Sequence, residues 1–243
     1  MIEIENLHKS FDEKKVLQGI NLKINTGETI AIIGSSGCGK SVLIKHIVGL
    51  LSPDKGVVKV EGKNISTLDK DDLFQLRKKF GFLLQGSALF DSMTVEENVA
   101  LPLVENKSKI SEKEIETLVA EKLELVGLQG TQKVKPADLS GGMKKRAALA
   151  RALITVPEYI LYDEPTTGLD PIMSNNIDNL IKDLSQKLNV TSIVVTHDMY
   201  SVKNVASSVA MIFEGRIYFR GEPKDLLNSK DQVIIDFIAR TCN

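Results

Sequence analysis

The thirteen residues TIAIIGSSGCGKS at 29–41 constrain this chain more than any other stretch. The apolar, β-branched run predicts a buried strand. The turn Gly34, Ser35, Ser36, Gly37, Cys38, Gly39, Lys40, Ser41 then satisfies the P-loop pattern, which has to feed a helix. Glycine is needed because the backbone curls around a β-phosphate with no room for a Cβ. Lys40 offers its ammonium to the β- and γ-phosphates of a nucleotide, and Ser41 offers its hydroxyl to Mg²⁺. A strand feeding a helix in this way belongs to the α/β class, with a largely parallel sheet.

The rest of the pattern agrees. VVKVEG at 57–62, GFLLQ at 81–85, YILYDE at 159–164, TSIVVTHD at 191–198, SVAMIF at 208–213 and RIYFRG at 216–221 read as strands. IEIENL at 2–7 and INLKI at 20–24 suit a small antiparallel sheet. Between 86 and 157 the strand signals stop, and MTVEENVALPL, SEKEIETLVAEKLELVG and SGGMKKRAALARAL predict helices, with Gly127 ending the middle one. The expected organisation is one domain over 1–243, with a core from 1–85 and 158–243 and a helical insertion at 86–157. Two short helices are expected at the end, where Ile234, Phe237 and Ile238 share a face that suits either the chain's own core or a small cytosolic regulator.

Composition excludes some function classes. The 31 basic and 32 acidic residues leave a formal charge of −1, which gives no bulk attraction to nucleic acid. No apolar run approaches the roughly 18 residues of a membrane helix, and MIEIENLHKSF lacks the regions of a signal peptide. Cys38 and Cys242 fit no metal-ligand spacing and read as reduced thiols of a cytosolic protein. Lys40 and a helix start beside Cys38 predict a lowered thiol pKa and alkylation that ATP blocks; the alternative is a small residue that merely fits.

ATP chemistry needs acids near the phosphates. Asp163, at the end of an apolar strand, suits Mg²⁺, and Glu164 suits polarisation of the attacking water. His197 ends another apolar strand, where it is either a γ-phosphate contact or a satisfied strand-end histidine. Gln85, at a third strand end, can reach Mg²⁺ or the water. Phe11 sits in a polar turn, where its ring either stacks on adenine or packs into the local sheet.

Residues 139–146, LSGGMKKR, form a second Ser-Gly-Gly turn opening a helix, which again presents N–H groups to an anion. The order of P-loop at 34, Gln85, LSGGM at 139, YILYDE at 159, TGLD at 167 and His197 resembles the ATP-binding-cassette (ABC) ATPase subunits over essentially the whole chain. The resemblance implies a P-loop (RecA-like) core, a small antiparallel β subdomain carrying the adenine-stacking aromatic, and an inserted helical subdomain carrying the signature. It explains the two cradles, because in this family the signature of one copy completes the ATP site of another. Ser140, Gly141, Gly142 and Met143 would contact nucleotide held by the partner's P-loop, and Asp170 would link the two sites. The implied assembly is two copies sandwiching two ATP molecules, docked on an integral membrane permease at the cytoplasmic face of the inner membrane.

Two positions depart from the family pattern. Met143 replaces the signature glutamine and removes a side-chain amide, and Tyr162 stands where an aliphatic is usual, bringing a hydroxyl that needs a partner. LSGGMKKRAALARAL together with QGSALFDSMTVEENVALPL at 85–103 is similar to the ATPases of MCE-protein-linked lipid transporters, including the Mla-type systems. That likeness implies phospholipid cargo and an MCE-domain partner. The alternatives are amino acid import, lipoprotein release and a soluble ABC scaffold without transport. Leu89 and Phe90 are expected to form a socket for a cytoplasmic helix of the permease, whereas Val95 and Val99 suit the helical core.

Overall fold

The computed structural model describes residues 1–106 and 110–241, so Cys242 lies outside the described residues. In chain order the elements begin with β1 (Ile2–Phe11), β2 (Lys14–Ile24), β3 (Thr29–Ile33), α1 (Lys40–Ile47), β4 (Lys55–Val60), β5 (Lys63–Asn64), α2 (Lys70–Lys78) and β6 (Phe80–Leu83). Next come α3 (Val95–Glu105), α4 (Glu112–Leu125) and α5 (Gly141–Leu153). The chain then continues through β7 (Tyr159–Asp163), α6 (Pro171–Leu188), β8 (Thr191–Val195), α7 (Met199–Val205), β9 (Ser208–Phe213), β10 (Arg216–Gly221), α8 (Pro223–Leu227) and α9 (Gln232–Thr241).

Two sheets result. One is antiparallel, in the order β2-β1-β4-β5, and the other runs β10-β9-β3-β8-β7-β6 with only the β10 pairing antiparallel. Strands buried on both faces explain why TIAII and TSIVV are continuously apolar or small. The period of two sorts their side chains. Ile30 and Ile32 of β3 join a core under the antiparallel sheet, whereas Ala31 and Ile33 pack with Met199, Leu226, Ile234 and Phe237. Tyr159 and Leu161 of β7 likewise face the first core, and Ile160 and Tyr162 face a core shared with α3, α4 and α5. The apolar face of α9 is therefore spent on the chain's own core.

Local sequence accounts for the helices between 86 and 157. Thr94 with Glu97 and Ser111 with Glu114 form capping boxes, and Gly127 ends its helix with φ 70°. Three helices were not expected from periodicity: α2, α6 and α7. Their signals lie at the ends instead. Asp69 caps α2, and Asp170 caps α6 with Pro171 in the first turn. The hairpin is also longer than expected, so Phe11 is the last residue of β1 rather than part of a turn, and Gln85 lies two residues beyond β6.

The parallel strands β3, β7 and β8 end on the same side. Their C-terminal ends bring Gly34, Asp163, Glu164 and His197 to one edge, where open α/β sheets hold their ligands.

Candidate functional site

The P-loop backbone is fixed by close packing. Gly34 has φ 149°, and a Cβ there would lie 2.4 Å from the Ile212 carbonyl oxygen; Gly39 has φ 110°, and its Cβ would meet Leu17 at 2.7 Å. Lys40 Nζ donates to the carbonyl oxygens of Gly34 at 2.7 Å and Ser35 at 3.1 Å, so its ammonium sits within the curl of the loop. Cys38 corrects the expectation of an activated thiol. Burial pushes its pKa up, outweighing the attraction of Lys40, and its Sγ lies where a Gly34 Cβ would be.

The acid pair follows on β7. Both oxygens of Glu164 are engaged: Oε1 is 2.9 Å from His197 Nδ1, and Oε2 accepts from Thr167 Oγ1 at 3.1 Å. Its backbone is left-handed, φ 48°, and its N–H donates to the Val195 carbonyl at 2.8 Å. A non-glycine residue in that region costs about 1–2 kcal/mol, which the surrounding packing has to offset. His197 is thus placed on Glu164 itself, and its ring is more than half exposed, at 57%. The Glu164 carboxylate is thus held in one orientation, with a histidine beside it at the edge of the site.

Asp163 shows where positive charge is wanted. Burial raises its carboxyl pKa, the Glu164 charge adds to the rise, and Lys40 and Lys145 act against it. Asp163 and Ser41 line one cavity of about 390 Å³, and Gln85 follows the neighbouring strand. Among the described residues no cluster of three or more His, Cys, Asp or Glu could hold a metal unaided. One carboxylate and one hydroxyl fit Mg²⁺, which takes most of its octahedral shell from water and phosphate oxygens.

Phe11 is 43% exposed rather than packed into the sheet, and Lys9 Nζ lies over its ring, 5.6 Å from the centroid. The Tyr162 hydroxyl is fully buried and faces Ser192, but makes no hydrogen bond of ordinary geometry, and burial raises its pKa. The residue therefore packs without satisfying its polar tip.

The signature turn belongs to the start of α5 rather than to a strand end. Ser140 and Gly141 are exposed, and a Cβ on Gly141 or Gly142 would meet Leu169 at 3.2 Å or Met173 at 3.4 Å. Ser140 Oγ accepts from Met143 N at 3.3 Å, and the Met143 side chain packs on the helical core rather than projecting freely. Asp170 caps α6 through bonds from Ile172 N at 3.0 Å and Met173 N at 2.9 Å. Among the described residues, no hydrogen bond joins Ser140 or Met143 to the P-loop.

Three structural residues were missed by sequence reasoning. Lys145 donates to the Gln85 carbonyl oxygen and, at 3.4 Å, to that of Glu164. Arg151 donates to the carbonyls of Ser87 at 2.8 Å and Ala88 at 2.6 Å, two residues with left-handed φ of 61° and 48°. Asn98, completely buried, accepts from Phe90 N at 2.7 Å and donates to the carbonyls of Phe90 and Thr94. Together they pin the 85–94 segment to the helices. The expected Leu89–Phe90 socket is split by this arrangement, because Leu89 packs partly inward and Phe90 is 52% exposed. Beside it, Phe74, Phe82, Leu84, Pro102 and Arg151 line a cleft of about 480 Å³.

Comparison with known proteins agrees with this geometry. The family profile described as ABC transporter matches residues 17–167. The chain is 40% identical over 238 residues to the intermembrane phospholipid transport system ATP-binding protein MlaF of Haemophilus influenzae, covering 98% of this chain and 90% of that protein. It is also 40% identical to the probable ribonucleotide transport ATP-binding protein mkl of Mycobacterium leprae, covering 98% of this chain and 68% of that one. The methionine import ATP-binding protein MetN of Clostridium tetani is 42% identical, over 93% of this chain and 70% of MetN. Among solved structures, the dimeric post-hydrolysis state of the ATP-binding cassette MJ0796 bound to ADP and Pi superposes with a TM-score of 0.82 at 33% identity, covering 92% of this chain and 99% of that one.

Proposed function

The chain belongs to the ABC transporter family as an ATP-binding, ATP-hydrolysing subunit, and from that premise we propose that it powers phospholipid transport through a separate membrane permease with an MCE-domain partner. The observation that carries the proposal is the division of the anion-binding set. The P-loop, Asp163, Glu164 and His197 gather at one strand edge, whereas the exposed helix start at Ser140 packs against Leu169 and Met173 and, among the described residues, makes no hydrogen bond to the P-loop. Two copies related by a two-fold axis make that set whole, each offering the Gly141 and Gly142 N–H groups, with Ser140 and Met143 beside them, to nucleotide on the other's P-loop. The dimeric MJ0796 cassette supports such a pairing.

In this assembly the Phe11 ring stacks on the adenine, and the P-loop N–H groups and Lys40 hold the β- and γ-phosphates. Glu164 orients a water and accepts its proton as the water attacks the γ-phosphorus and the bond to the β–γ bridging oxygen breaks, leaving ADP and inorganic phosphate. His197 holds the carboxylate in place and borders the γ-phosphate. Ser41 and Asp163, with Gln85 near them, would hold Mg²⁺, which would supply charge neutralisation at the phosphates. Asp170, anchored at the start of α6 beside the signature, links the two sites. The apolar cleft at Phe74, Phe82 and Leu84, with the exposed Phe90 next to it, receives a cytoplasmic helix of the permease. Among the described residues no helix is long and apolar enough to cross a membrane, so attachment to the inner membrane is through that partner, on its cytoplasmic face. A small cytosolic regulator is left out of the proposal, because α9 spends its apolar face on the core.

The phospholipid cargo is supported by the MlaF relationship and by the Met143-containing signature and 85–103 segment. The MetN relationship, at similar identity, supports amino acid import as the second reading. The test is to tag the protein, extract native membranes in mild detergent and identify what co-purifies. A permease with an MCE-domain protein and bound phospholipid is the expected result. A permease with a solute-binding protein would move the cargo to the second reading, and the absence of any membrane protein would overturn the coupling to transport.

A further inference from the structure

Three cations of α5 donate to backbone carbonyls rather than to carboxylates: Lys145, Arg146 to Val126 at 2.7 Å, and Arg151 to Ser87 and Ala88. Lys145 differs from the other two in its surroundings. It is only 5% exposed, and its ammonium joins two separate strand ends, donating to the carbonyls of Gln85 after β6 and of Glu164 after β7. Its environment is poor for a charge, since burial lowers its pKa against the attraction of Glu164 and Asp163. A buried ammonium satisfied mainly by carbonyls is weak support for stability, and an apolar side chain of equal volume commonly serves folding as well or better. The residue therefore needs an explanation other than stability.

Geometry supplies one. Lys145 follows Ser140 by five positions on one uninterrupted helix, a rise of about 7.5 Å. A displacement of the signature turn would move the Lys145 backbone with it, and the buried ammonium is held at its far end by two carbonyls. One of its acceptors belongs to Gln85, at the head of the segment that Arg151 and Asn98 pin and that presents Phe90. The other belongs to Glu164, whose left-handed backbone fixes the direction of its carboxylate.

We infer that Lys145 is a positioning residue that carries movement of the signature turn to Glu164 and Gln85 of the same copy. It thereby ties the partner's nucleotide to this copy's own hydrolytic site and permease loop. The inference rests on the reading of Ser140–Gly142 as contacts to the partner's nucleotide.

Lys145→Met keeps the volume and removes the donor, whereas Lys145→Gln removes the charge and keeps a donor. In the full chain, Lys145→Met is expected to lower kcat for ATP on the order of tenfold, with half-saturating ATP within about twofold of parental. Its thermal midpoint should fall by no more than a few degrees, because the loss of two carbonyl bonds is offset by the relief of a buried charge. Amide hydrogen exchange across 84–92 should quicken by roughly threefold or more without nucleotide. Lys145→Gln should lose less of the rate. Parental kcat with parental exchange in Lys145→Met overturns the inference, as does a rate loss that merely tracks a fallen thermal midpoint. Glu164→Gln, run alongside with ATP, separates the two failures: no dimer there counts against the premise, whereas a dimer there with an unaffected Lys145→Met counts against Lys145 alone.

Discussion

Two helix starts in this molecule follow a serine- and glycine-containing turn, and they are equipped differently. The start of α1 carries its own cation, Lys40 Nζ, 2.7 Å from the Gly34 carbonyl, and has the carboxylates of β7 near it. The start of α5 is exposed, its Ser140 hydroxyl is spent on Met143 N, and the cations further along that helix turn inward to carbonyls. A bare helix start contributes typically 0.3–1 kcal/mol toward an anion, too little to hold a nucleotide from solution. On the proposed function, the first turn captures nucleotide and the second recognises nucleotide already captured.

The largest expected effect sharpens that division. Glu164→Gln should slow hydrolysis by roughly 10²-fold or more while leaving both helix starts intact, so ATP should hold two copies together. Steady-state hydrolysis and size-exclusion chromatography with ATP check it, and a parental rate would refute Glu164 as the base. A pair of variants attacks the division directly. Lys40→Met should weaken ATP binding by about 10²-fold, the scale of a lost charge-assisted contact. Gly141→Asp should leave binding to the single copy within about threefold, yet reduce hydrolysis by at least 10-fold, because its carboxylate faces the incoming phosphate. Equal loss of binding in both variants, measured calorimetrically, would break the comparison.

The same contrast governs what sequence could tell. The P-loop, β3, β7 and β8 were legible because a doubly buried strand and a glycine turn are contiguous patterns, and α3, α4 and α5 because their periodicity and stop signals are local. α2 buries only Leu76, so it has little periodicity to read, although Asp71 and Asp72 in its first turn and Arg77 and Lys78 in its last mark its ends. Lys145 and Arg151 left no trace, since their acceptors are carbonyls 60 and 19 residues away for Lys145 and 63 and 64 for Arg151, and a carbonyl has no residue type. The fate of Cys38 was hidden for a related reason: its neighbours along the chain suggest activation, but the packing around it decides its pKa.

A smaller effect lies behind the seam of the two regions. Asp178 of α6 is completely buried, with Ser201 Oγ donating to it at 2.8 Å and also in reach of Asp198 and Thr166. Burial raises its carboxyl pKa to about 6; the Ser201 bond opposes this and the Asp198 charge adds to it. The unfolded chain, with an ordinary value of 3.8, loses the proton first as pH rises. This group's contribution to stability is thus complete below about pH 4 and is lost as pH rises through about 6. Asp178→Asn does not titrate, so the fall in thermal midpoint between pH 5 and 8 should shrink by on the order of 4 °C. An unchanged pH profile would show that Asp178 is ionised in the folded protein.

The smallest effect compares two tyrosines on β7. The Tyr159 hydroxyl accepts from the Met1 amino group at 2.9 Å and donates to Glu61 at 3.3 Å, whereas the Tyr162 hydroxyl, facing the helical core, has no such partner. Removing a paired hydroxyl loses its bonds, and removing an unpaired buried one relieves a desolvation penalty, so the two deletions should differ in sign. Tyr159→Phe should lower stability by about 1 kcal/mol and Tyr162→Phe should raise it by about the same, read as opposite shifts of the urea midpoint at constant slope. Equal destabilisation by both would mean that Tyr162 finds a partner across the seam. The strand joining the P-loop core to the signature helices would then be held by a polar contact rather than by packing alone.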